Sequence, residues 1–441
     1  MLAVGRMPPR PLALAVVLAA CAPTGEQAGF DPEDGNADDP RAELAWAAGD
    51  MHLHPQCDEV PLSSEELVQR MIAADLQVGS NHVNAETYDR LRPAFDGGDD
   101  PASQPGRILH SDLEVAYFAT GDGTGHVLFH GLKDLAFSDR PFERPRSVTP
   151  IVDWGLAQEG VLAGYAHAWA WPATGYPVPG NDECCIPFEF PVQVARGTAS
   201  FLCEEIMDEL GSGPLSRGGF VLWRTLQNMG YRIALTGGSD IGCLGDQVGV
   251  PRTLALVATG PGEEGASGLT YARFLDAIRQ GRTVLAAGKG TQLDLLVNGA
   301  RLGDEVALEA PGEVTVEVRS QLAQAASVDL LVNGVPAAQA RLEAGAQTAT
   351  ATLQLSRSAW ISARTARAQT SAIYVLVAGA PIRASAEDAC YMVKYMDHLR
   401  GLVLQGAFPL GDEQAATLLG YDEARTEFLR RFQESGGTTC P

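Results

Sequence analysis

The chain has 441 residues, too many for one small core, so two or three domains are expected. Hydrophobic residues make up 45% and charged residues 20%, the balance of an ordinary globular protein. Acids outnumber bases, 55 against 32, and the net charge of −23 argues against a nucleic-acid partner, which needs a basic footprint.

The N-terminus reads as a targeting segment rather than as part of the fold. Arg6 and Arg10 precede an apolar stretch, Leu12 to Ala20, that is too short to span a bilayer. It ends in Leu18-Ala19-Ala20-Cys21, which resembles a bacterial lipobox. The expectation is a signal peptide over 1–21, cleaved before Cys21, whose thiol is lipidated. An ordinary secretory signal with a coincidental cysteine is the alternative. Ala22 after the cysteine points, in a Gram-negative host, to the outer membrane. Residues 22–47 carry Pro, Gly and the acids Asp31, Glu33, Asp34, Asp38 and Asp39, a flexible tether that holds a folded body off the membrane. An exported chain is free to form disulfides. Beyond Cys21 there are cysteines at 57, 184, 185, 203, 243, 390 and 440, an odd number that leaves at least one thiol out of any pairing.

From 48 to 289 apolar strand-like runs alternate with helix-like segments, an α/β pattern. Ser63-x-x-Glu66 has the form of a capping box opening a helix through Leu67, Met71 and Ile72. Further helices are predicted near 150–159, 218–229 and 270–280. Strands are predicted at 107–110, 126–131, 161–166, 231–236 and 253–258. From 290 to 382 helical periodicity disappears. Val314-Thr315-Val316-Glu317-Val318 alternates strictly, and Asp-Leu-Leu-Val-Asn-Gly occurs at both 294–299 and 329–334, each copy placing a hairpin signal after an apolar strand. This region is expected to be a small all-β sandwich. The remainder, 383–441, is read as helical, with amphipathic segments near 385–404 and 411–434.

Seven of the eight histidines fall between positions 52 and 167. They open with Gly49-Asp50-Met51-His52-Leu53-His54, and a His-x-His pair on a strand places both imidazoles on one face. With Asn81-His82, Glu114, Gly125-His126, Ala166-His167 and Ser239-Asp240, this reads as a metal site assembled from several strand ends. His110, His130 and His398 are read as packing or surface residues. Cys57 and Cys243 lie beside site motifs, and a buried or disulfide-bonded cysteine is the preferred reading over a soft ligand. Trp169 to Cys185, rich in Trp, Pro and Gly, is either a substrate-facing loop or a packed surface loop.

The order of these motifs resembles the PHP superfamily of metal-dependent hydrolases, and within it the carbaryl-hydrolase-like (CehA/McbA-type) branch. The resemblance runs over roughly 48–400. It includes the Gly-Asp-x-His-x-His opening, Asn81-His82-Val83-Asn84, a strand ending in Glu114, Gly125-His126, Ala166-His167, Gly238-Ser239-Asp240 and the segment Ala277 to Thr283. It implies a distorted (β/α)7 barrel carrying divalent ions at its rim, with His52, His54, His82, Glu114, His126, His167 and Asp240 as ligands. Asp240 and Glu114 would also act as the catalytic carboxylates, bridging ions or relaying the proton of an activated water. Two departures stand out. Asn81 replaces the family's aspartate, and Gly242 occupies the place of a histidine; Asp58 or Glu59 is the nearest match for a further acid. They favour one or two ions over three, with Zn, Mn and Fe all compatible with the donor set.

The expected function is hydrolysis of an ester, carbamate, amide or phosphoester small molecule. The alternatives are a non-catalytic metal-binding surface lipoprotein built on a degenerate barrel, and a phosphoesterase. The last ranks lower, because basic residues that would hold a phosphate are sparse around the motifs.

Overall fold

The computed structural model of the chain describes Ala19–Ala20 and residues 44–440, apart from 55–61, 84–94, 96, 116–124, 136–146, 173, 178–185, 206–216, 244–246, 260–267 and 408–409. Cys21, Cys57, Asp58, Glu59, Asn84, Cys184 and Cys185 lie outside the described residues.

A 15-stranded mixed sheet organises the fold. Its central run begins with three parallel strands, Leu44–Leu53, Val78–Val83 and Ile108–Val115. Next comes Val127–His130, antiparallel to both of its neighbours. Leu162–Tyr165, Phe201–Glu204 and Ala234–Gly237 continue in the original direction. The reversed strand departs from an all-parallel β/α pattern. It also explains how His126, which precedes its strand, reaches the same rim as residues that follow theirs.

The sheet curls until Ala234–Gly237 lies against the other flank, and the seam there is made by hydroxyls. Thr253 Oγ1 accepts from Gly237 N at 2.7 Å and donates to Gly237 O at 3.0 Å. Ser371 Oγ accepts from Leu235 N at 3.1 Å, and Thr283 Oγ1 donates to Leu235 O at 2.8 Å. At the rim the two flanks meet through a parallel bridge between Leu53 and Ile241.

Helices cover the sheet where the sequence predicts them, at Ser64–Ala73, Thr149–Leu156, Arg217–Asn228 and Tyr271–Arg279. The first opens with the expected capping box: Ser63 Oγ accepts from Glu66 N at 3.2 Å while the Glu66 carboxylate accepts from Ser63 N at 2.9 Å.

Residues 291–377 form strands in two sheets around one apolar core that includes Leu293, Leu295, Val316, Leu353, Ile361 and Ile373. One sheet has 345–355, 312–322 and 291–297 side by side, and Ala19–Ala20 pairs with Ala349 and Thr350 at its edge. The other is continuous with the main sheet, because Thr283–Ala286 pairs with Ala368–Thr370. The two Asn-Gly turns adopt the left-handed backbone that glycine favours, with φ of 49° and 80° at 298–299 and 52° and 76° at 333–334. Only the second joins a full hairpin, 326–332 with 335–342. After the first, a single Val297–Ala300 bridge forms, and strand 291–297 pairs instead with 312–322.

The terminal helices Ala386–Leu404 and Gln414–Glu434 share one core with the main sheet, in which Tyr395, Met396 and Phe428 accompany Trp171, Phe188 and Trp223. A Cys390–Cys440 disulfide ties the end of the chain to the first of them. Cys243 is disulfide-bonded, and Cys203 is a buried free thiol. Trp171 and Tyr176 pack on Tyr395, and His398 stacks on Tyr176, so the described part of the Trp-rich segment is a packed loop.

Candidate metal centre

Side chains at alternate positions bring the expected residues to one face of the sheet. His52 and His54 leave the end of the first strand, Glu114 the end of Ile108–Val115, and His167 and Asp240 follow Leu162–Tyr165 and Ala234–Gly237. All are buried. His167 and Asp240 sit in the left-handed region, at φ 58° and 48°, a strained conformation for such residues that is held here by backbone bonds. His167 N donates to the Glu205 carboxylate at 2.7 Å, and Asp240 N donates to His52 O at 2.7 Å. Gly238 permits the close approach: a Cβ there would lie 2.4 Å from the His52 backbone nitrogen.

Two triads result. In one, His52 Nε2 and His54 Nε2 are 3.0 Å apart, and Asp240 Oδ1 is 3.9 Å from each. In the other, His126 Nδ1 is 2.7 Å from Glu114 Oε1 and 3.0 Å from His167 Nε2, which lies 3.6 Å from the same oxygen. Glu114 stands between them, its Oε2 2.9 Å from His54 Nε2. Ligands about 2.1 Å from one tetrahedral ion are separated by about 3.4 Å; the first triad brackets that value, and the second would need its 2.7 Å His126–Glu114 pair to spread slightly. Asp240 Oδ1 adds a second sign, since it is buried and accepts no hydrogen bond among the described residues. These buried His, Glu and Asp groups are able to bind metal ions.

The electrostatics agree with that donor set. Burial works against charge on His52, yet Asp240, Glu114 and Glu205 outweigh it and raise its pKa well above the usual value. His167 is likewise pushed up to about 10, burial being overcome by Glu205, Glu114 and Asp240. Burial would raise Glu114, but the His126 and His54 rings hold it well below the carboxylate range. Burial raises Asp240 against the pull of His52, His54 and His167. Without an ion, the carboxylates are compensated by protons on imidazoles, and a metal must displace those protons.

Glu205 is a site residue that the sequence reading did not single out. Its Oε1 is 3.1 Å from His52 Nδ1, and its Oε2 is 3.4 Å from His167 Nδ1. It therefore faces the ring nitrogens opposite those that point into the triads, and fixes both rings. Burial opposes ionisation of Glu205, but His167 and His52 bring its pKa down to about 2. An acidic pair closing the short apolar run Phe201-Leu202-Cys203 was its only signal. Asp50, from the opening motif, is structural: it accepts from Ser239 N at 2.8 Å and Gly249 N at 2.7 Å, and burial pushes it up to about 6.

The His82 ring packs on His52 and on His130, with ring centres 5.1 Å apart in each case, but its nitrogens group with Asp112 and His130 rather than with either triad. Burial, then its histidine neighbours, lower its pKa well below the usual value, which leaves a neutral ring. His110 and His130 are buried rather than superficial. His130 Nδ1 lies 3.2 Å from Asp112, and His110 stacks on Tyr271 with ring centres 4.0 Å apart. Asn81 alternates with His82 and pairs in register with Leu53, which places it on the opposite sheet face from the cluster. Gly242, at φ 89°, holds a backbone conformation that a histidine would strain.

No family model matches the chain, and no curated protein matches it. Among solved structures it is similar to a two-domain protein containing a predicted PHP-like metal-dependent phosphoesterase from Bacteroides vulgatus, at 13% identity and a TM-score of 0.38, over 79% of this chain and 100% of that one.

Proposed function

We propose that the protein is a metal-dependent hydrolase of the PHP type, carrying one or two divalent ions in a distorted barrel. The observation that carries this reading is the position of Glu114, with one oxygen facing His126 and the other facing His54, between two triads of ligand geometry. His52, His54 and Asp240 would hold one ion, and Glu114, His126 and His167 the other. A bound divalent ion supplies a water acidified toward neutral pH and polarises the bond to be cleaved. Asp240, raised by burial and poorly hydrogen-bonded, is the group suited to take the proton released there. Glu205 keeps the His52 and His167 rings turned toward the ions. The order of motifs along the chain supports the carbaryl-hydrolase-like branch and a carbonyl-centred substrate: an ester, carbamate or amide.

Elemental analysis of purified protein, repleted in turn with zinc, manganese and iron, tests the reading. One or more equivalents are expected, lost in the His52→Ala/His54→Ala double variant, together with turnover on a panel of aryl esters, carbamates, amides and phosphoesters. An empty parent after repletion refutes the metal site. A loaded but inert parent favours the binding-only alternative.

The lipid anchor at Cys21 is part of the same proposal. It predicts that Cys21→Ala moves the protein from the membrane fraction to the soluble one.

A further inference from the structure

A cleft of about 650 Å³, separate from the histidine cluster, lies between the end of helix Ser64–Ala73, the segment 247–252 and the turn at 287–289. Four of its lining residues are cationic, Arg70, Arg252, Lys289 and Arg367, and none of the described ones is acidic. That concentration runs against the chain as a whole, in which 55 acids face 32 bases.

Arg252 is the fixed element of the cleft. It is only 3% exposed. Its Nε donates to Gly249 O and its Nη1 to Ala74 O, both at 2.9 Å, which orients the guanidinium. Nη2 bonds to no described residue, and no described carboxylate pairs with Arg252, Arg70 or Lys289. Asp50 and Asp75 act on Arg252 only from a distance. Asp50 is already occupied by the Ser239 and Gly249 amides. A buried cation without a direct counter-ion is costly, and an anion in the cleft relieves that cost.

We propose that this cleft is an anion site for the phosphate or carboxylate group of a small organic molecule, with Arg252 as the preset anchor and Arg70, Lys289 and Arg367 closing around it. A guanidinium presents paired donors that match an oxyanion. The cleft exceeds what a bare oxyanion fills and falls within the size of small-molecule sites, about 300–1,000 Å³. None of the four cations belongs to the histidine cluster, so the site stands whether or not the protein is a hydrolase.

Isothermal titration of the full chain with inorganic phosphate and with phosphonoacetate, which has no hydrolysable bond, is the test. Saturable binding is expected, tighter for phosphonoacetate and retained in His52→Ala/His54→Ala. In Arg70→Ala/Lys289→Ala, which removes two exposed side chains, binding should weaken about tenfold or more, as the loss of a charged hydrogen bond implies, with an unchanged melting curve. The proposal is overturned if no saturable binding occurs or if the Arg70/Lys289 variant binds like the parent. It is equally overturned if binding disappears with the two histidines, which would place the anion on the metal centre.

Discussion

Two clusters of buried histidine and carboxylate lie one above the other on the same sheet face, and their carboxylates are satisfied in opposite ways. In the lower one, Asp112 accepts from Gly131 N at 2.7 Å, from the Ser80 and Tyr271 hydroxyls, and faces His130 Nδ1. Burial would raise that carboxyl, but His130 and His110 depress it. In the upper one, Glu114 faces the His126 and His54 rings, and Asp240 Oδ1 meets no donor among the described residues. Along strand Ile108–Val115 the two carboxylates are only two positions apart. Hydroxyls and an amide saturate the Asp112 carboxylate and make a structural knot around it, although His110 Nε2 and His130 Nε2 find no hydrogen bond among the described residues and His82, Asp112 and His130 also lie close enough to hold an ion. In the candidate site above, the carboxylates are left facing imidazoles.

Breaking the lower knot should cost the most. Asp112→Asn is expected to lower stability by about 3–5 kcal/mol, the usual loss on breaking a buried charge network, while metal content per folded chain stays at the parent value. Urea unfolding of the metal-free protein and elemental analysis of the folded fraction measure the two quantities. A variant that keeps its stability but loses its metal would erase the distinction between the clusters.

Glu189 sharpens it with another buried acid whose donors among the described residues are all neutral: the Ser147 and Tyr421 hydroxyls and Val148 N. Burial, against those hydrogen bonds, pushes its pKa up to about 7 from 4.5. The folded state therefore retains a proton that the unfolded chain has released. The associated stability is present below 4.5 and is lost as pH rises through about 7, to the extent of roughly 3 kcal/mol. Subtracting the pH–stability curve of Glu189→Gln from that of the parent should expose this window; identical curves would mean that Glu189 does not titrate there.

The smallest effect belongs to Glu205. Glu205→Gln keeps the shape but weakens the hold on the His52 and His167 rings, and metal affinity should fall about 10–100-fold, as read by competition with a chelator. Undiminished affinity would remove Glu205 from the site.

The sequence made the helices legible because their outer faces are polar and their inner faces apolar, which is what periodicity detects. Strands with polar inner faces were harder. Periodicity ends the predicted strand at 110, and only the family resemblance, which implies a strand ending in Glu114, carries it toward the observed end at Val115. Val78–Val83, with Ser80 and His82 facing inward, was not predicted as a strand at all. Extending 107–110 by alternation would have placed His110 and Asp112 on the Glu114 face. Glu205 was hidden by the brevity of Phe201–Glu204. The upper triads were visible through His-x-His and the spacing of later motifs, but the grouping of His82 with Asp112 and His130 depends on contacts between strands that no local pattern encodes.

The close approach at Gly238 acts as a ruler. Because main chain approaches main chain between that residue and His52, and Asp240 N bonds His52 O, the backbone span between these two candidate ligands is set by the sheet. If ions bind there, differences in their radius would fall to side-chain rotation, at Glu114 among others, while the backbone span from His52 to Asp240 stays constant.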